Sequence, residues 1–208
     1  MFRAGVVIVA LVLATACSSR PPDESHYLDE IASARAAKDA SFRSAGSPVP
    51  GDARDKFLPL AYFPVDPSYA VPAAFREVPP GSRQRVEFQT STDERRQMER
   101  MGALQFTLHG QPFSLAAFVE VGESGDRLFV PFTDLTTGKE TYQAGRYLEI
   151  ARSSTGIYVV DFNRAYNPYC YYNPTYDCPY PPKENRLPAA IRAGEKTRWR
   201  RSNEEASR

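Results

Sequence analysis

Residues 104–121 read LQFTLHGQPFSLAAFVEV. Apolar and polar side chains alternate over residues 104–108, as they do in a strand that buries one face. His109 and Gly110 interrupt the alternation, and a second apolar segment follows over residues 113–121. A glycine between two such segments is typical of a tight turn. This part of the chain therefore predicts an antiparallel β-hairpin.

Further short strands are predicted on both sides of this hairpin. Upstream, residues 85–89 alternate as Arg-Val-Glu-Phe-Gln. Downstream, three more strand-like segments follow glycine-containing turns, at residues 127–132, 145–151 and 156–162. Several short strands at this spacing suggest a mainly β fold, which is an antiparallel barrel or a sandwich.

The ends of the domain have a different character. Residues 25–44 predict an N-terminal helix, which a short helical turn over residues 52–57 follows. After Phe162 the pattern gives way to a long loop, rich in proline and tyrosine, that we expect to close one end of the barrel. The sequence thus predicts one domain over residues 25–196, with a flexible tail over residues 197–208.

Composition excludes several classes of function. The 208 residues carry 26 Lys and Arg against 25 Asp and Glu, so no large field of one sign is available to attract nucleic acid. The 18 prolines argue against a helical bundle. The sequence contains no Gly-x-Ser-x-Gly elbow, no phosphate-binding glycine loop and no His-Glu-x-x-His helix. These features favour a non-catalytic protein.

The N-terminus has the pattern of a signal peptide. Residues 5–16 are all apolar or small, and a run of this length is too short for a membrane-spanning helix of roughly 20 residues. The run ends in Leu-Ala-Thr-Ala-Cys at residues 13–17, which resembles a bacterial lipobox. We expect cleavage after residue 16, lipidation of Cys17, a spacer over residues 17–24, and attachment to a membrane in the cell envelope. An ordinary signal peptide remains the alternative.

Several strings of the sequence resemble a prokaryotic family that is catalogued as domain of unknown function 1684. They are DFNRAYNPYCYY (161–172), CPYPPKENRL (178–187), IRAGEK (191–196), FTDLTTGKETY (132–142) and GRYL (145–148). The resemblance extends over residues 31–196. It implies a β-rich domain and no established activity. The resemblance therefore indicates the limits of the domain but not a reaction or a ligand.

Cys170 and Cys178 enclose a short loop in a chain that is predicted to leave the reducing cytosol. A disulfide is the natural outcome for such a pair. Two free thiols remain an alternative. A metal site is a weaker one, because His26 and His109 are both distant in the sequence. No cofactor is predicted.

Tyrosines concentrate in the last third of the chain. A tyrosine ring offers a rigid apolar face with a hydroxyl, which suits stacking on a sugar or packing on a protein. The sequence therefore predicts an aromatic recognition surface for an envelope protein or a glycan, although many of these rings could simply cover the barrel mouth. The residues that we expect at a ligand are Arg146, Tyr147, Asn163, Tyr166, Asn167 and Tyr169.

The alternative function is hydrolysis by a pair of carboxylates. Such an enzyme would use one carboxyl as acid and one as base, inside a pocket framed by Arg146 and Tyr147. The competing interpretation pairs each carboxylate with a basic residue in a structural ion pair. The candidates are Asp134, Glu140, Asp161 and Glu184.

Overall fold

The computed structural model describes residues 24–198. The predicted signal peptide, Cys17, nearly all of the predicted spacer and the tail beyond residue 198 lie outside the described residues. Within residues 24–198, no helix is both long enough and apolar enough to cross a bilayer.

The described chain is mainly β, with one long helix at its start. The elements are α1 (Ser25–Arg43), α2 (Arg54–Phe57), β1 (Ala70–Glu77), β2 (Arg85–Gln89), β3 (Arg95–Leu108), β4 (Gln111–Glu120), β5 (Arg127–Phe132), β6 (Arg146–Ala151) and β7 (Ile157–Asp161). The predicted helix and strands are all present. The sequence analysis predicted no strand for β1 or for the first half of β3.

The seven strands form one antiparallel sheet that curls into a nearly closed barrel. The strand order is β6-β5-β4-β3-β1-β7. Strand β3 is long because it serves two neighbours on one side: its first half pairs with β2 and its second half with β1. On its other side it pairs with β4 along nearly its whole length. The predicted mainly β, antiparallel fold is therefore confirmed, and of the two predicted arrangements the chain forms the barrel rather than the sandwich.

The predicted hairpin is the β3–β4 pair. Its turn consists of His109 and Gly110, whose φ angles of 48° and 77° are both left-handed. Two left-handed residues in succession are the geometry that suits the twist of a two-residue hairpin. Leu104 and Leu115 then lie opposite each other, and both are fully buried in the barrel interior.

Helix α1 packs on the outside of the barrel. Only Ile31 and Phe42 of this helix are buried, so its apolar contact is small. Polar contacts supplement it, because the hydroxyl of Tyr27 donates to Asp161 and the guanidinium of Arg35 donates to the carbonyl of Phe63.

The C-terminal loop, residues 162–198, has no strand or α-helix of its own. Isolated backbone bridges hold it to the barrel, including Tyr166 to Tyr147 and Arg186 to Thr133. The loop passes very close to itself at Gly194, where a Cβ atom would lie 2.5 Å from the carbonyl oxygen of Ala165. Glycine is required there, and its φ of 76° is also left-handed.

Asn185 of the C-terminal loop joins two strands that have separated. Strands β4 and β5 pair at a single position, Phe118 opposite Phe129. Beyond that point the buried side chain of Asn185 bridges the gap. Its amide nitrogen donates to the carbonyls of Ala116 (2.9 Å) and Pro131 (2.8 Å), and its oxygen accepts from the Ala116 amide (2.7 Å). The Asn185 side chain thereby forms hydrogen bonds that the backbone of a paired strand would otherwise form.

The predicted disulfide is not formed, and this is a correction to the sequence analysis. Cys170 and Cys178 are free, buried thiols, and the amide of Cys170 donates to the sulfur of Cys178 (3.0 Å). Hydrogen bonds hold this part of the loop instead. The amide of Cys178 donates to the hydroxyl of Ser91, and the amide of Ser91 donates to the carbonyl of Cys178.

Replacing Asn185 by alanine should destabilise the barrel strongly. The change leaves three buried backbone groups without partners, and each such group costs about 1–3 kcal/mol. We expect urea denaturation to show a loss of about 3 kcal/mol or more in the free energy of unfolding.

The matched control is Asn173→Ala in the same loop. The side chain of Asn173 accepts hydrogen bonds only from its near neighbour Thr175, so its loss should cost less than about 1 kcal/mol. Equal losses for the two variants would contradict the bridging role of Asn185.

Candidate functional site

A cleft of about 950 Å³ lies between the outer face of the sheet and the C-terminal loop. Side chains alternate along a strand, so Phe129 and Tyr147 point into the cleft while their neighbours Leu128 and Leu148 point into the barrel. The facing wall comes from the C-terminal loop and the last turns of α1. The wall residues that matter below are Lys38, Phe42, Tyr166, Tyr169, Tyr176 and Asp177.

Tyr147 and Tyr166 form the rigid centre of the cleft. Their rings meet edge to face at 5.8 Å, and Tyr147 makes a second such contact with Phe129 at 4.8 Å. The Tyr147 hydroxyl donates to the carbonyl of Pro179, and the Tyr166 hydroxyl donates to Glu149 (2.8 Å). Burial raises the pKa of both tyrosines, and Glu149 raises that of Tyr166 further. Both hydroxyls are therefore neutral hydrogen-bonding groups at physiological pH.

Tyr169 and Tyr176 form the rim. Tyr169 is 44% exposed, although its ring makes edge contacts with Tyr176 at 5.3 Å and Phe42 at 6.2 Å. In such a pair the edge of one ring packs against the face of the other, which fixes the orientation of both rings. The rim thus presents an oriented aromatic surface to solvent.

Ion pairs surround these rings. Arg96 bridges Asp177 (2.9 Å) and Glu120 (3.3 Å), and Arg127 pairs with Glu149 (3.1 Å). All five of these side chains line the cleft. Because the pairs are partly exposed, each contributes little to stability, but together they fix the positions of several donors and acceptors.

Lys38 connects the cleft to a buried carboxylate. Its ammonium forms an ion pair with Glu195 and lies over the rings of Tyr166 (4.8 Å) and Phe42 (5.1 Å). Glu195 is 1% exposed and also accepts hydrogen bonds from the Tyr172 hydroxyl (2.7 Å). The pair joins α1 to the end of the C-terminal loop at the side of the cleft.

Three of the six predicted ligand residues line the cleft, namely Tyr147, Tyr166 and Tyr169. The other three, Arg146, Asn163 and Asn167, are buried and have structural contacts. The Asn163 side chain forms hydrogen bonds with the Tyr27 hydroxyl and with the backbone of Asp66. The backbone amide of Asn167 donates to the carboxylate of Glu195.

Of these three buried residues, Arg146 makes the most side-chain hydrogen bonds. One guanidinium nitrogen donates to Asp134 (2.9 Å) and to the carbonyl of Ile191 (2.8 Å). The other donates to the carbonyls of Ala193 and Glu195. The side chain is 1% exposed, so a ligand in the cleft does not reach it.

The four candidate catalytic carboxylates belong to separate ion pairs. The pairs are Asp134 with Arg146, Glu140 with Arg192, Asp161 with Arg164, and Glu184 with Arg100. None of the four carboxylates is among the residues that line the cleft. This arrangement agrees with the interpretation that competes with hydrolysis, in which each carboxylate forms a structural ion pair with a basic residue.

The sequence analysis missed most of the charged cleft residues. Glu149 lies two positions after Tyr147 on the same strand, so the alternation of β6 was a signal that could have revealed it. Lys38 and Glu195 gave no such signal, because they lie on elements at opposite ends of the domain.

The two free thiols lie at the edge of the cleft, where Cys178 contributes to the lining. A hydrogen bond from Cys178 lowers the pKa of the Cys170 thiol to about 7, and the Tyr142 hydroxyl acts in the same direction. The same hydrogen bond raises the pKa of Cys178. Across residues 24–198, no three His, Cys, Asp or Glu side chains are grouped to hold a metal ion.

Comparisons with known proteins identify relatives without an assigned activity. The model of a family described as "Protein of unknown function (DUF1684)" matches residues 55–196. An uncharacterized protein from gene locus rrnAC0354 of Haloarcula marismortui, solved by NMR in solution, is 37% identical. The match covers 84% of this chain and 96% of that one, with a TM-score of 0.67. No curated protein matches the chain.

The two thiols should differ in reactivity. Because the folded pKa of Cys170 lies below that of an ordinary thiol, its thiolate should form as the pH rises through about 7. We expect alkylation of the reduced protein by iodoacetamide to modify Cys170 first, with a rate whose midpoint is near this pH. Fragment-ion mass spectrometry distinguishes the two positions.

Cys178→Ala removes the hydrogen-bond donor and should shift the Cys170 profile toward higher pH. The protein unfolded in urea is the reference, with a thiol midpoint of about 8.5. Faster modification of Cys178 than of Cys170 in the folded protein would contradict the assignment.

Proposed function

Because the chain belongs to the family of proteins of unknown function DUF1684, whose description assigns no activity, we propose a function from the cleft itself. The protein is an exported, lipid-anchored, non-catalytic domain that binds a ligand between its sheet and its C-terminal loop. The observation that carries the proposal is the set of fixed tyrosines, Tyr147, Tyr166 and Tyr169, in a cleft of about 950 Å³.

The size and lining of the cleft support ligand binding. Small-molecule sites typically have volumes of about 300–1,000 Å³ and combine aromatic walls with a few fixed polar groups. Here the aromatic contacts and ion pairs fix the side chains before any ligand arrives. Such preorganisation reduces the entropy lost on binding.

The order of elements supports a role at a membrane surface. The lipid would be attached to Cys17, eight residues before α1 begins at Ser25. Lys38, which lines the cleft, lies 13 residues further along the helix, a distance of roughly 20 Å at 1.5 Å per residue. The helix would thus hold the cleft away from the lipid, where a ligand can reach it.

Membrane attachment depends on one thiol in this proposal. Cys17→Ser removes the acylation site, and acyl chains contribute about 0.8 kcal/mol of membrane affinity for each buried CH₂ group. In a bacterial host, we expect the variant to lose incorporation of labelled palmitate and to leave the membrane fraction. Cys170→Ser is the control and should keep the label. An unlabelled wild-type chain with its leader intact would refute the anchor.

Ligand binding should depend on the tyrosines of the cleft. We expect the immobilised full-length chain to retain a ligand from a solubilised envelope extract, identified by mass spectrometry. The double variant Tyr166→Ala, Tyr169→Ala should retain at least about tenfold less of it, because large aromatic residues dominate most binding sites.

The matched control is Tyr180→Ala. Tyr180 is a 42% exposed tyrosine of the same loop that does not line the cleft. This variant should bind as the wild type does. Equal retention by the double variant, or no retained molecule at all, would overturn the proposal.

A further inference from the structure

We infer that the ligand of the cleft is an uncharged oligosaccharide, which stacks on Tyr169 and Tyr176 and forms hydrogen bonds with the ion-paired side chains around them. This inference rests on the proposed function and specifies its ligand. Four observations carry it: the charge balance of the lining, its polar groups, the exposed rim and the pairing of the strands.

The charges of the cleft nearly cancel. Its basic side chains are Lys38, Arg96, Arg127 and Arg164, and its acidic side chains are Glu120, Glu123, Asp126, Glu149 and Asp177. All four basic groups are already in ion pairs with carboxylates of the protein. A phosphate-rich or nucleic-acid ligand needs a surplus of basic groups, which this lining does not provide. A strongly cationic ligand would have to compete with these four basic side chains for the carboxylates.

The ion pairs do provide many hydrogen-bonding positions. A carboxylate has about four acceptor positions and a guanidinium has five donors. The contacts of Arg96 with Asp177 and Glu120 use only some of these groups. Sugar hydroxyls both donate and accept, so a row of them can bond alternately to fixed donors and acceptors without any net charge.

The rim supplies the apolar part of the recognition. Tyr169 is 44% exposed, and its ring and that of Tyr176 stand at 72° to each other. One face of a pyranose ring carries mainly C–H groups and packs against an aromatic ring as other apolar surfaces do. Two oriented rings at the mouth of a cleft of about 950 Å³ suit a chain of several sugar units better than a single one.

The pairing of the strands disfavours an extended peptide. Extended peptides often bind by adding a strand to a free sheet edge. Strands β3, β4 and β5, which contribute the cleft floor, each have a neighbouring strand on both sides, although β4 and β5 pair only at Phe118 and Phe129. Strand β6 pairs with β5 on one side and meets Tyr166 of the C-terminal loop on the other, at Tyr147. The floor thus offers a ligand mainly side chains, because every floor strand already has a neighbour on each side.

The test is a binding screen of the full-length chain, purified in detergent and fluorescently labelled. The probes are arrays of neutral glycans, of sulfated and sialylated glycans, and of peptides. We expect binding to neutral oligosaccharides, with an affinity that changes less than about twofold between about 50 and about 500 mM salt, since no ionic contact is screened.

Variants then locate the site. Tyr169→Ala and Tyr176→Ala should each weaken binding of the neutral glycan about tenfold or more. Tyr169→Phe and Tyr176→Phe keep the ring and should bind within about threefold of the wild type. Tyr180→Ala should leave binding unchanged. Circular dichroism and thermal melting establish that each variant is folded, and the phenylalanine variants guard against loss of binding through misfolding.

Each other outcome has a defined meaning. Binding of peptides or of charged glycans only, lost in the Tyr169→Ala variant, overturns the oligosaccharide assignment and leaves the proposed binding function intact. Binding of neutral glycans that the tyrosine variants do not weaken overturns the assignment of the rim. No binding to any glycan overturns the inference. If the immobilised chain also retains no molecule from the envelope extract, the proposed function is overturned as well.

Discussion

The guanidinium of Arg146 holds the end of the C-terminal loop against the barrel. Residues 162–198 contain no strand or α-helix, so the loop's carbonyls need partners from elsewhere. Arg146 supplies hydrogen bonds to three of them, at Ile191, Ala193 and Glu195. Burial lowers the pKa of Arg146, and Asp134 counteracts this by pairing with it. An unpaired charge would cost several kcal/mol at this depth, so the arginine and the loop depend on each other.

The cleft follows from this arrangement. With residues 191–195 fixed, the carboxylate of Glu195 lies where Lys38 of α1 can reach it, and the helix is joined to the side of the cleft. The middle of the C-terminal loop then crosses the outer face of the sheet, and Tyr166 pairs with Tyr147 on β6. A binding surface is thereby assembled from three parts of the chain, none of which has a complete site alone.

The sequence predicts those parts of the fold that depend on neighbouring residues. Alternation identified β2 and the second half of β3, because a half-buried strand imposes a period of two, and glycine-containing turns identified β4 and β5. The first half of β3 has no such alternation, since Arg95 and Arg96 are adjacent and Glu99 and Arg100 follow closely. Its pairing with β2 makes it a strand, and that is a tertiary contact.

The candidate site was harder to predict for the same reason. Arg146 and Tyr147 are adjacent, yet one is buried under the C-terminal loop and the other lines the cleft. Only the path of the loop decides which face is covered. The cysteine pair shows a related difficulty: eight positions of spacing allow a disulfide, but the loop geometry leaves two thiols and a hydrogen bond. The lipobox-like segment is a local pattern and stays a prediction.

Asn185 and the Tyr147–Tyr166 bridge attach the C-terminal loop to the barrel at two separated positions, and residues 178–180 bond residues 89–91 in between. Between them, residues 167–184 run along the exterior and contribute little to the barrel core, with Tyr172 in a separate small cluster under α1 and α2. The positions of its side chains at the cleft thus depend on contacts with the outside of the barrel, such as those of Asp177 with Arg96 and of Pro179 with Tyr147. A change in the length of this segment would therefore displace Tyr169 and Tyr176 from the rim while the interior of the barrel stays packed as it is.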